Sequence, residues 1–106
     1  MSRINQPSSR LGTSQNVAYN AAGGASTQSS VFSAQTYQIR VIAISSVAAA
    51  VGDAVRIAIG ENPTAGASGT VVGLNREEYF MVTPGQRIAA LSNSASTGSL
   101  NVTEIV

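Results

Sequence analysis

The chain contains no cysteine, histidine, lysine or tryptophan, and only 10% of its 106 residues are charged. Each absence removes a class of chemistry. Without cysteine there is no disulfide framework, zinc ribbon, iron–sulfur cluster or thiol nucleophile. Without histidine there is no Ser-His-Asp triad, and the commonest metal ligand and general base are missing. Without lysine there is no P-loop and no Schiff base. A net charge of +1 is too small for a bulk electrostatic grip on nucleic acid or an anionic membrane, so neither is expected as a partner. The longest uncharged apolar-rich stretch, residues 41–51, contains Ser45 and Ser46 and falls far short of the roughly 20 residues a membrane span needs. Residues 1–7 do not read as the apolar core of a signal peptide.

What is present is small, polar and β-branched. There are 15 Ser and 8 Thr, and Val, Ile and Thr together number 27 against six for Leu and Met. That bias favours pleated surfaces over helices. Residues 35–106 read as six short strands, near residues 37–44, 55–59, 70–74, 79–82, 86–92 and 100–106. In the first, Tyr37, Ile39, Val41 and Ala43 alternate with Gln38, Arg40, Ile42 and Ile44. Thr83-Pro84-Gly85-Gln86 has the chemistry of a type II turn and should join two antiparallel strands. Residues 62–69 and 93–98 read as loops, and residues 47–53 as a loop or strand extension. Short strands separated by turns predict an all-β fold: a small antiparallel β-sandwich or jelly-roll-like barrel.

Residues 1–34 have a different character. They are rich in Ser, Gln, Asn, Ala and Gly, show no sustained periodicity, and carry Arg3 and Arg10 with no acid. They read as an extended N-terminal arm before a body of residues 35–106. Such an arm is either a loose terminus or a segment lying across a neighbouring subunit. In the second case Ile4, Leu11, Val17 and Tyr19 serve as anchors, together with Arg3 and Arg10. The body is a thin core for a domain without disulfides or metal, so self-association as a dimer or trimer is expected. Arg40 and Arg56 sit mid-strand. They either line a wet sheet face or form interfacial ion pairs with a partner.

The acids offer little for catalysis. Glu77 and Glu78 are adjacent, so on a strand they point to opposite faces and cannot converge as an acid–base pair. They read as a solvated strand start or as partners for Arg76 and Arg87. Asp53 and Glu61 flank one strand and provide too few oxygens for calcium. Gly66-Ala67-Ser68-Gly69-Thr70 lacks the lysine of a phosphate loop. Asn101-Val102-Thr103 matches a glycosylation sequon inside a strand, a chance match. Tyr37 and Phe80 read as core or turn-flanking packing, which leaves Tyr19 as the one free aromatic. No enzyme, cofactor or metal site is expected.

Four stretches carry a resemblance. They are Gln35-Thr36-Tyr37-Gln38-Ile39-Arg40-Val41, then Ile57-Ala58-Ile59-Gly60-Glu61-Asn62-Pro63-Thr64-Ala65, then residues 78–91 around the Pro84-Gly85 turn, followed by Leu100-Asn101-Val102-Thr103-Glu104. Over residues 35–106 the chain resembles small capsid cement or decoration proteins of tailed bacteriophages. The resemblance implies a β-sandwich or jelly-roll subunit on the capsid surface of a virion. Its expected partners are the major capsid protein, bound across capsomer boundaries, and further copies of itself. The alternative is a receptor- or carbohydrate-binding module on a tail or fibre, which calls for aromatic residues exposed in loops.

Overall fold

The computed structural model describes residues 11–46 and 53–106. Among these the chain forms eight strands and no helix: β1 (Leu11–Tyr19), β2 (Thr27–Gln28), β3 (Gln38–Ser45), β4 (Ala54–Gly60), β5 (Thr70–Gly73), β6 (Glu77–Met81), β7 (Arg87–Ser92) and β8 (Gly98–Ile105). Pairing is antiparallel and nested. β1 pairs with β8, β2 with β7, β3 with β6 and β4 with β5. The chain is therefore one long ribbon with its tip at the β4–β5 loop. It is rolled so that β8 also lies on β3, and β7 on β4. Two four-stranded sheets result, β1-β8-β3-β6 and β2-β7-β4-β5. Eight strands in this order form a jelly roll, the β-sandwich expected from the strand and turn signals.

Alternation places the core. Ile39, Val41 and Ala43 of β3 face inward, and they meet Val55 and Ile57 of β4, Val72 of β5, Ile88 and Ala90 of β7, and Leu100 and Val102 of β8. Most are β-branched, which suits a pleated surface. Each large apolar side chain removed from water contributes about 1.5–3 kcal/mol. Phe80 packs half-buried against this cluster.

All six expected strands are present, and two more precede them. Residues 11–34 are not an arm. β1 runs along β8 from Leu11 to Tyr19. Val17 and Tyr19, expected to anchor on a neighbour, are instead only 5% and 3% exposed within this molecule's own core, where Phe32 joins them. The strand shows no period in the sequence because its register shifts between Leu11 and Ser14. That irregularity breaks the period of two on which a strand reading depends. Only Leu11 among the proposed arm anchors is exposed in the described residues. Arg3, Ile4 and Arg10 lie outside them, as do residues 47–52 of the expected loop.

The Pro84-Gly85 turn forms as expected. Gly85 has a φ of 86°, the left-handed value that a type II turn requires at its third position. The Gln86 N–H donates to the Thr83 carbonyl at 3.2 Å. The strands it joins, β6 and β7, belong to different sheets, so the turn crosses the sandwich rather than closing a hairpin. It is docked on Phe32, whose N–H donates to Gln86 O and whose carbonyl accepts from Gly85 N–H.

Candidate interaction surface

The two outer faces of the sandwich are unlike. On the β2-β7-β4-β5 sheet, the loop of residues 61–69 folds back toward β2. The Gln28 Nε2 donates to Asn62 Oδ1 at 2.9 Å and to the Pro63 carbonyl at 2.7 Å, and the Ala65 N–H donates to Ser26 Oγ at 2.9 Å. Ala65 is buried, and so is Ala89, opposite Gln28 in the ladder. Arg56 belongs to this covered face. Its guanidinium donates to the Gly69 carbonyl at 3.0 Å, tying the loop end to β4 beside a cavity of about 180 Å³ lined with small residues, Leu91 and Asn93.

The outer face of the β1-β8-β3-β6 sheet carries no such loop among the described residues. Its register sets side chains in rows. One row is Leu11, Ile105, Gln38 and Met81; the next is Ser14, Thr103, Arg40 and Tyr79; a third is Asn16, Asn101, Ile42 and Glu77. The β1–β8 half is an uncharged polar lattice. Asn101 Nδ2 donates to Asn16 Oδ1 at 2.9 Å, and the Ser14 and Thr103 hydroxyls lie 3.2 Å apart. Cross-strand polar pairs of this kind hold the weakly apolar β1 in register. The β3–β6 half carries the one ion pair among the described residues, Arg40 to Glu77 at 3.6 Å. Arg40 thus pairs within its own sheet, and its buried Nε has no hydrogen-bond partner. Beyond the pair, β6 presents Tyr79 at 52% and Met81 at 76% exposure.

The acids are spread through the structure. Asp53 accepts from the Ser94 and Ser96 hydroxyls at 2.8 and 2.7 Å, closing the β7–β8 loop onto the start of β4. Glu61 follows the other end of that strand, eight residue steps or about 26 Å away, so the two do not share a cation. Glu104 is buried and accepts from Ser33 N–H and the Thr36 hydroxyl. Among the described residues no group of three or more Asp, Glu, His or Cys could hold a metal ion.

The aromatics differ from expectation. Tyr19 is buried, whereas Tyr37, just before β3, and Tyr79 are exposed. Outward direction was open to reading for Tyr79, because it alternates with the core-packed Phe80. Which sheet face stays bare depends on where the 61–69 loop goes, and that is non-local. Tyr19 donates its hydroxyl to the Ile44 carbonyl at 3.0 Å, beside an open depression of about 550 Å³ lined by hydroxyl and apolar groups at the end of the sheet. Its pKa is raised above the tyrosine value of 10.0, first by burial and second by the negative charge of Asp53. A raised folded-state pKa contributes stability that is present below the unfolded value and lost as pH rises through the folded one. Tyr19→Phe should therefore cost about 1 kcal/mol in urea unfolding near neutral pH through the lost hydrogen bond. Above about pH 10 the difference should shrink, because only the parent chain loses this contribution. An undiminished gap at alkaline pH contradicts the assignment.

No protein-family model, curated protein or solved structure matches the chain.

Proposed function

We propose that this protein is a structural subunit of a virus particle, which decorates a phage capsid and cements it by binding the major capsid protein across capsomer boundaries. In this reading it works by association and not by catalysis, and it acts on the capsid surface. Two things support it: the resemblance of residues 35–106 to capsid cement proteins, and the jelly-roll order, an architecture that recurs in viral capsid and lectin domains. The observation that carries it is the bare outer face of the β1-β8-β3-β6 sheet. Its one ion pair is internal, and the rest is uncharged hydroxyl, amide and apolar surface. Such a face packs against another protein at low desolvation cost. Binding across two capsomers stabilises the assembled shell by mass action.

The test is heat release of packaged DNA from particles with and without the protein. Particles lacking it should rupture at a lower temperature, and re-adding the intact chain should restore the wild-type midpoint. A chain deleted of residues 1–10, which carry Arg3, Ile4 and Arg10, should restore it less well. Equal rupture temperatures with and without the protein overturn the reading. The exposure of Tyr37, in the segment just before β3, favours a second reading, a carbohydrate- or receptor-binding module on a tail. Immunogold labelling confined to tails would select it.

A further inference from the structure

We infer that β6 is a self-association edge, and that two copies of the chain join their β6 strands antiparallel about a two-fold axis at Tyr79. The backbone argument comes first. β6 is the last strand of its sheet. The Val82 N–H donates to the Tyr37 carbonyl, so the residue after β6 directs its peptide groups toward β3. Peptide groups alternate sides along a strand. Phe80 and Glu78 therefore face β3, while Met81, Tyr79 and Glu77 direct their N–H and C=O outward, where no described strand receives them. The opposite side of the sandwich is closed instead. There Thr27 Oγ1 donates to the Ala18 carbonyl, and the Ser30 N–H donates to Gln15 Oε1. Natural edge strands are blunted by charge, proline or a bulge. β6, Glu-Glu-Tyr-Phe-Met, has no proline and no lysine; its charge lies at its first two residues, where Glu77 is paired with Arg40, and Tyr79 to Met81 carry none.

The occupant follows from charge and register. An antiparallel pair centred on Tyr79 matches Tyr79 with Tyr79 of the second copy, and Glu77 with its Met81. All three outward-facing residues then meet outward-facing residues, giving about six backbone hydrogen bonds. Glu77 lies opposite an apolar side chain and not opposite its own copy. A parallel in-register pair would instead oppose Glu77 to Glu77 and Glu78 to Glu78, which is destabilising. Tyr79 and Met81, among the most exposed large apolar side chains of the described residues, gain cross-strand neighbours and lose part of their exposure. The two sheets merge into one of eight strands, and the isologous contact closes at two copies. This inference does not rest on the capsid reading. A dimer that ignores shells, or a monomer that binds them, would separate the two.

The chain has no native cysteine, so a single introduced thiol is unique. Light scattering of the full chain at tens of micromolar should give twice the monomer mass. Tyr79→Cys should form a disulfide-linked dimer on mild oxidation, since paired Cα atoms in such a ladder lie about 5.5 Å apart, within disulfide reach. Val71→Cys, exposed on β5 at the edge of the other sheet, should remain uncrosslinked. Tyr79→Lys, checked for folding by circular dichroism, should weaken dimerisation at least tenfold. Monomer mass throughout overturns the inference. So does a trimer, crosslinking at residue 71 equal to that at 79, or a Tyr79→Lys chain that dimerises as the parent does.

Discussion

Replacing Gly98 with alanine should remove a large share of the protein's stability, for a reason confined to one atom. Gly98 opens β8 opposite Ser45 of β3 and Tyr19 of β1. A Cβ built there would stand 2.0 Å from the Ile44 carbonyl oxygen, 2.7 Å from Tyr19 Oη and 2.9 Å from Ser45 Cα. Two of the three are backbone atoms at the end of β3, an inner strand of the sheet, which cannot rotate away as a flexible side chain could. The strand must shift, and a shift disturbs the Tyr19–Ile44 hydrogen bond and both ladders that β8 makes. Overpacking of a tight site costs roughly 1–3 kcal/mol and more where backbone must move. We expect at least about 3 kcal/mol here, or a fall in Tm of roughly 12 °C or more for a chain of this size. Gly60→Ala is the control. A Cβ at Gly60 meets nothing within 4 Å and its φ is not positive, so that variant should match or slightly exceed the parent. Thermal unfolding followed by circular dichroism checks both. If Gly98→Ala melts within about 3 °C of the parent, the packing described at this corner is wrong.

Much of the fold was open to a reading of local pattern. Ile39 and Val41 alternate with the polar Gln38 and Arg40, and the burial of Ile39, Val41 and Ala43 follows from a period of two. Pro84-Gly85 named its turn type because only two residues have to agree. What resisted reading was non-local. β1 has small polar residues on its outer face, and a register irregularity offsets its inner one. Ser14 and Asn16 become strand residues because Thr103 and Asn101 lie across from them, almost ninety positions away. β2, with two residues, is too short to show a period. The bare face was hidden for the same kind of reason. Arg40 and Arg56 look alike in sequence, each single and mid-strand. One lies on an open face beside Glu77, and the other helps tie down a loop that closes its face. The nested order of strands decides which, and no local window contains it.

Glu104 is the residue whose chemistry the pattern could have revealed, and its removal is the second large effect expected. Leu100, Val102 and Glu104 share one side of β8, so the carboxyl group of Glu104 points into the sandwich with the core. It is 3% exposed, and the fully buried Thr36 donates to it. The Ser33 N–H donates to the same oxygen at 3.2 Å, and the Ser33 hydroxyl lies 2.7 Å from Thr36 Oγ1. These contacts fix the connection between β2 and β3 to the far end of β8, beside the Phe32 backbone on which the Pro84-Gly85 turn docks. Glu104→Ala strands the Ser33 backbone N–H, leaves the Thr36 hydroxyl only its Ser33 neighbour, and opens a void. An unsatisfied buried donor costs about 1–3 kcal/mol, so the variant should lose about 2–4 kcal/mol in urea unfolding. Glu104→Gln keeps an acceptor oxygen in place and should lose only about 1 kcal/mol. Thr36→Val removes the donor from the other side. Combined with Glu104→Ala it should cost less than the sum of the single losses, because two partners of one contact are not independent. Additive losses would mean that Glu104 and Thr36 contribute separately. The clamp would then be carried by packing rather than by the carboxyl group.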